Sequence, residues 1–170
     1  VGNTPWTVLA EGIALTAEVW TIGEATFLVS IAVMFLWIPI KETPGIGTIL
    51  NIIIIALTIH VMVPILPQTE NFLVSILMAS SGILLVGIGS TMYLTANLGP
   101  GPRDGWMTGL QRATGVPIGR VRITIEVSVL VIGIVLGGTF GIGTILFAVT
   151  IGPVVASCMS IASRIDSTTR

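Results

Sequence analysis

Charge is what this sequence has least of: only 9% of its 170 residues are charged, against a hydrophobic share of 53% and a mean hydropathy of +1.03. Soluble domains carry about 25% charged residues, so these proportions exclude an ordinary water-exposed fold and call for a bilayer as solvent. One cysteine, Cys158, and one histidine, His60, can build neither a disulfide framework nor a zinc cluster. Cys158 lies inside an apolar run and reads as a small packing residue. A Walker-type phosphate loop is missing, as is a soluble domain to house a cofactor, so the expectation is a non-enzyme without cofactor or metal. Period-two alternation is also missing, which argues against a β-barrel. The first twenty residues lack a basic start and carry Glu11 and Glu18, unlike a cleaved signal, and the valine start points to residues upstream.

Long apolar runs, in contrast, are plentiful. Five of them approach the roughly 17–25 residues that a helix needs to cross hydrocarbon: Ile22–Ile40, Gly45–Leu66, Phe72–Leu94, Arg120–Leu136 and Gly141–Ala162. Threading them alternately puts Lys41, Arg103, Arg112, Arg120, Arg122, Arg164 and Arg170 on one side, while Glu11, Glu18, Glu24 and Glu70 fall on the other. Basic residues stay cytoplasmic. The expectation is therefore a multi-pass protein of the cytoplasmic (inner) membrane with its C-terminus inside and Val1–Thr21 outside. Topology accounts for the basic residues, so no nucleic-acid partner is inferred.

The hexapeptide GIGTIL occurs twice, at 45–50 and at 141–146. At an offset of 96, Ile22-Gly23 falls on Ile118-Gly119; at 97, Gly2, Pro5 and Gly12 fall on Gly99, Pro102 and Gly109. The repeated unit is a Gly/Pro-broken start, a short helix, a spanning helix, a GIGTIL corner and a second spanning helix. The whole chain, 1–170, reads as one membrane domain: repeat one at 2–66, a linking helix at 72–94 and repeat two at 99–162. An odd number of crossings separates the copies, so they start from opposite faces. That makes an all-α polytopic membrane protein with an inverted-topology repeat, the architecture of many secondary transporters. A helix precedes copy two and none precedes copy one, so the first helix of a six-helix fold is absent from this chain, lying upstream or supplied by a neighbouring subunit.

The stretches Pro5-Trp6-Thr7-Val8-Leu9-Ala10-Glu11-Gly12, Pro44-Gly45-Ile46-Gly47-Thr48, Leu98-Gly99-Pro100-Gly101-Pro102-Arg103-Asp104-Gly105 and Ile125-Glu126-Val127 resemble the YczE-like bacterial integral membrane proteins, relatives of the YitT group. The resemblance spans essentially the whole chain. It implies a six-helix bacterial inner-membrane protein and carries over no cofactor or catalytic residue. This sequence departs from the pattern in lacking the first helix and in having His60 where an acidic residue is more usual.

Thr4-Pro5 and Gly101-Pro102 are helix starts, each with proline at the first helical position. The two short helices are too short to span; they lie in the interface or dip inward as re-entrant half-helices. Their apolar faces carry Trp6, Leu9, Ile13 and Trp20 in one and Trp106, Leu110 and Ala113 in the other. Glu126 lies about six residues into its helix, where a carboxylate needs a partner, and Arg122 four residues earlier offers an ion pair. Arg103 adds a fork-shaped donor beside the free amides of a helix start, and Asp104 either neutralises it or caps the helix dipole. The candidate substrate-binding set is Thr4, Thr7, Arg103, Asp104 and Glu126, with Asn51 and His60 as further lining residues. Asn51 also fits inter-helix hydrogen bonding, and His60 a packed histidine or a proton carrier.

Two functional classes remain. One is a permease or channel-like transporter for a small polar or anionic metabolite, binding at the repeat interface. The other is a non-transporting accessory or scaffold subunit, as a homo-oligomer or within a larger membrane complex. Membrane lipid is a partner in both.

Overall fold

The computed structural model describes residues 2–17, 21–65 and 71–169, with side chains as far as 164. Every regular element among them is helical: α1 (Pro5–Ala17), α2 (Ile22–Phe35), α3 (Trp37–Ile40), α4 (Ile46–Met62), α5 (Phe72–Thr95), α6 (Pro102–Thr114), α7 (Ile118–Val135) and α8 (Ile142–Thr169). Local chemistry sets the boundaries. Thr4 Oγ1 accepts from the Thr7 amide at 3.3 Å, capping α1. Thr21 and Glu24 form a reciprocal capping box that starts α2. Asn71 caps α5, and Gly115, at φ +71°, ends α6 in the left-handed conformation.

Ile22–Ile40, Phe72–Thr95 and Ile142–Arg164 are long and apolar enough to cross a membrane. The expected boundaries shift in detail. Ile22–Ile40 bends at Leu36 into α2 and α3, α8 runs on past Ala162, and Leu66 lies outside the described residues. α4 has 17 residues, about 25 Å at 1.5 Å each; α7 has 18 and carries Arg120, Arg122 and Glu126. Neither meets the length and apolarity of the other three. Along α4, Ile46, Ile49, Leu50, Ile53, Ile54 and Leu57 are all at least half exposed, a surface that water would oppose and lipid accepts.

The short helices are interior parts. In α1, Val8 and Ala10 are completely covered, and the helix packs on α7 and α2; α6 packs on α2, α3 and α7. Trp6 and Met107, one from each short helix, join Val29, Val33, Val121, Ile125 and Val129 in a common core. The face expected from Trp106 and Leu110 packs against that core, as do Leu9 and Ile13, while Trp20 lies outside the described residues. α5 packs on α8 around Ile83, Phe147, Ile151 and Val155. Cys158 belongs to that contact, its sulfur lying beside Gly87.

The GIGT corners clamp the helix starts crosswise. Gly99, at φ +106°, sits on Gly45 and Thr48, and Gly2, at φ +96°, sits on Gly141 and Thr144. A side chain at either position meets both a disfavoured backbone conformation and occupied space. Thr48 and Thr144 are both fully buried. Each accepts a hydrogen bond at 3.1 Å from the glycine amide three residues earlier, and Thr48 also donates to the Pro100 carbonyl at 2.7 Å. Further along, the α1 backbone rides directly on Gly133 and Gly138. Across the molecule Trp37 lies on Gly105 and its Nε1 donates to the Pro102 carbonyl at 2.9 Å.

Candidate functional site

A cavity of about 370 Å³ opens where the N-terminal ends of α1 and α6 converge. Thr4, Trp6 and Thr7 face it from α1, and Gly101, Pro102, Arg103 and Asp104 from the start of α6. Arg122 and Glu126 reach it from α7, Asn51 from α4, Ser30 from α2, and Ser90 and Tyr93 from α5. Thr4, Thr7, Arg103, Asp104, Glu126 and Asn51 are thus brought together from four helices and their starts.

Four Arg, Asp and Glu side chains share the space. Arg122 Nη1 donates to Asp104 Oδ1 at 2.8 Å; its Nε lies 3.8 Å from Glu126 Oε1, too far for a hydrogen bond. The expected Arg122–Glu126 pair is therefore the longer of two, and Asp104, expected to neutralise Arg103 or to cap the helix dipole, instead pairs with Arg122. The reason is positional: Asp104 in the first turn of α6 faces the first turns of α7, within the α6–α7 packing. Arg103 instead lies over the Trp6 ring, its guanidinium carbon 4.8 Å from the centroid, a cation–π contact. Among the described residues no carboxylate lies within ion-pair distance of Arg103. Glu126 is only 3% exposed, and its Oε2, like Arg122 Nε, has no hydrogen-bond partner.

His60 does not belong with this set. It is nine positions beyond Asn51 on α4, about two and a half turns, and so on the opposite side of the helix. It is exposed, 3.4 Å from Thr21 Oγ1, in a shallower groove of about 510 Å³ between α2 and α4 lined mainly by Phe27, Leu28, Ile53, Ala56 and Leu57. That groove is larger, but it lacks the concentration of charges found in the smaller cavity. Asn51 has its carboxamide against Gly101, where a methyl group would collide with it.

The sequence reading passed over Trp6 as a site residue, along with Ser30, Ser90 and Tyr93. The signal for Trp6 was available: at the offset of 97 it is the counterpart of Arg103, and the two counterparts stack on each other. Among the described residues no group of three or more His, Cys, Asp or Glu side chains could hold a metal ion.

Residues 1–160 match the model of DUF6198, described as a family of unknown function. The chain belongs to this family. An uncharacterized protein of Haemophilus influenzae is 44% identical over 165 residues, covering 97% of this chain and 75% of the relative. The uncharacterized membrane protein YczE of Bacillus subtilis is 33% identical over 156 residues, covering 89% of this chain and 71% of that protein. No solved structure matches. Its apolar helices and exposed apolar surface make this DUF6198 chain a multi-pass helical membrane protein with lipid around it, and its resemblance to the YczE-like proteins is a family relationship.

Proposed function

We propose that this chain is a small membrane transporter, permease or channel-like, that passes a small polar or anionic metabolite through the cavity between two inverted halves. The observation that carries the reading is the convergence of two short buried helices, each by its N-terminal end, on one cavity holding Arg103 and the buried Glu126. Helix N-termini carry partial positive charge and unpaired amides, and half-helices that meet inside a repeat interface are the usual setting for a transported group. The crosswise contacts support the inverted relation: Gly2 rests on the second GIGT corner and Gly99 on the first. In this reading α2 with α3, α4, α5, α7 and α8 make five crossings in a bacterial inner membrane. The C-terminus is cytoplasmic, with Lys41, Arg112 and Arg164 on that side. The ion pair between Arg112 and Glu42 ties α6 to the link after α3 there, and on the other face Glu11 accepts from the Thr139 amide at 3.0 Å.

Thiol accessibility tests this without knowledge of the substrate. With Cys158→Ala as background, Thr7→Cys and Asn51→Cys are expected to react with a membrane-impermeant maleimide, and Gln68→Cys, outside the described residues, to react from outside in intact cells. Cavity cysteines that react from neither face would end the transporter reading in favour of the accessory subunit. Labelling of Gln68→Cys only after permeabilisation would reverse the orientation.

A further inference from the structure

Of the four Arg, Asp and Glu side chains in the cavity, two are used up on each other: Asp104 and Arg122 meet at 2.8 Å. The other two are not. Arg103 has one face of its guanidinium on Trp6, and stacking by the face leaves its N–H edges free to grip a carboxylate with two parallel hydrogen bonds. Glu126, 3% exposed, has an Oε2 that meets no donor. Arg122 does not complete it, because the nearest nitrogen, Nε, stands 3.8 Å from the other oxygen. One cavity is therefore lined by an unused cationic fork and by a carboxylate whose hydrogen bonds are incomplete.

Buried charges without partners are costly, and that cost selects the ligand. A simple anion satisfies Arg103 but adds negative charge near Glu126; a simple cation satisfies Glu126 but crowds Arg103. An uncharged polar molecule meets neither need. A ligand carrying both charges meets both and keeps the cavity neutral. The volume, about 370 Å³, equals roughly a dozen water-sized atoms at about 30 Å³ each. Thr4, Thr7 and Asn51 supply further hydrogen bonds, while Ile55, Val86 and Phe147 form an apolar wall suited to a short hydrocarbon side group.

We infer that the cavity binds a small zwitterion of the amino-acid type, its carboxylate on Arg103 and its ammonium on the Glu126 carboxylate. The inference rests on the transporter reading for its biological sense and on the two unused groups for its chemistry. The test uses the purified chain in lipid nanodiscs and a panel of α- and ω-amino acids. Each is compared with its deaminated acid and its decarboxylated amine by thermal shift and by calorimetry. At least one zwitterion is expected to bind saturably and roughly tenfold or more tighter than either of its analogues, one lost charge-assisted contact being worth about that factor. Arg103→Gln and Glu126→Gln are each expected to weaken it by a similar factor in chains that remain monodisperse, with Arg103→Lys falling between. Acids that bind as well as the parent zwitterion and are indifferent to Glu126→Gln would overturn the inference, as would amines indifferent to Arg103→Gln or a panel with no binder. Uptake into proteoliposomes separates the two readings: zwitterion binding without uptake keeps this inference and removes transport, whereas uptake of a monocarboxylate without zwitterion binding does the reverse.

Discussion

The two stretches that align at offsets of 96 and 97, the halves of the proposed repeat, differ where they meet the cavity and agree where they hold the chain. At the offset of 96, Arg122 and Glu126 of α7 have Thr26 and Ser30 of α2 as counterparts. At 97, Arg103 and Asp104 correspond to Trp6 and Thr7. Thr26 and Ser30 satisfy themselves, donating to the carbonyls of Ile22 and Thr26 at 2.7 and 2.8 Å. They need nothing from the cavity. Arg122 and Glu126, equally buried, are left with unpartnered atoms. The corners, by comparison, keep the same residues and the same 3.1 Å hydrogen bond in both copies. In the proposed repeat, the matching corners serve as a scaffold, and the second half alone supplies the charge. The resulting site is polar at one end and hydroxyl-lined at the other.

The largest effect is expected from making copy two resemble copy one in a single step. Arg122→Thr strands Asp104 and Glu126 together, and losing one partner of a buried ionic set typically costs about 3–5 kcal/mol. Thermal unfolding in detergent should show it as the most damaging of these changes. Completing the conversion with Asp104→Thr and Glu126→Ser should restore much of the stability while leaving the cavity without ligand binding. A triple variant no more stable than Arg122→Thr would mean that the charges hold the fold together instead of equipping the site.

A smaller effect should come from the clamps. Gly2→Ala and Gly99→Ala each force a residue with a side chain into positive φ, at about 1–3 kcal/mol of strain, and both meet a GIGT corner. Equal losses of melting temperature would show the two clamps to be equivalent. A loss confined to Gly99→Ala would show that only the corner with the extra Thr48–Pro100 bond bears load.

The smallest is His60→Gln. His60 is exposed, its imidazole makes one long hydrogen bond with Thr21, and the Cβ that packs on Gly23 is kept in glutamine, so the replacement should change stability by no more than about 0.5 kcal/mol and leave ligand binding at the cavity untouched. A binding defect would draw the α2–α4 groove into the function.

The sequence carried the helix starts because Thr4-Pro5 and Gly101-Pro102 encode them locally, and it carried the grouping of Thr4, Thr7, Arg103, Asp104 and Glu126 because copy alignment brings the two starts to one interface. Asn51 followed from its polarity within a run of isoleucines. What failed was geometry beyond a single helix. His60 shares an apolar run with Asn51 yet points the other way. Arg122 and Glu126 satisfy the i, i+4 rule, but that rule is blind to Asp104 arriving from α6 at a shorter distance. Spans were similarly legible only where composition was extreme: α5 carries no charged residue, whereas α7 dilutes its apolar residues with Arg120, Arg122 and Glu126.

The crosswise packing also sets an order of events during synthesis. α1 leaves the ribosome well before α7, yet its backbone rests on Gly133 and Gly138 of a region made much later, and Glu11 has its partner in Thr139, 128 positions on. Contacts so distant along the chain form slowly, because loop-closure entropy is met before they repay it. Until α7 is made, α1 lacks its principal neighbour, and a chain cut between α4 and α5 yields two fragments of which neither encloses the cavity. Assembly of the site is therefore a late event that needs both halves present at once.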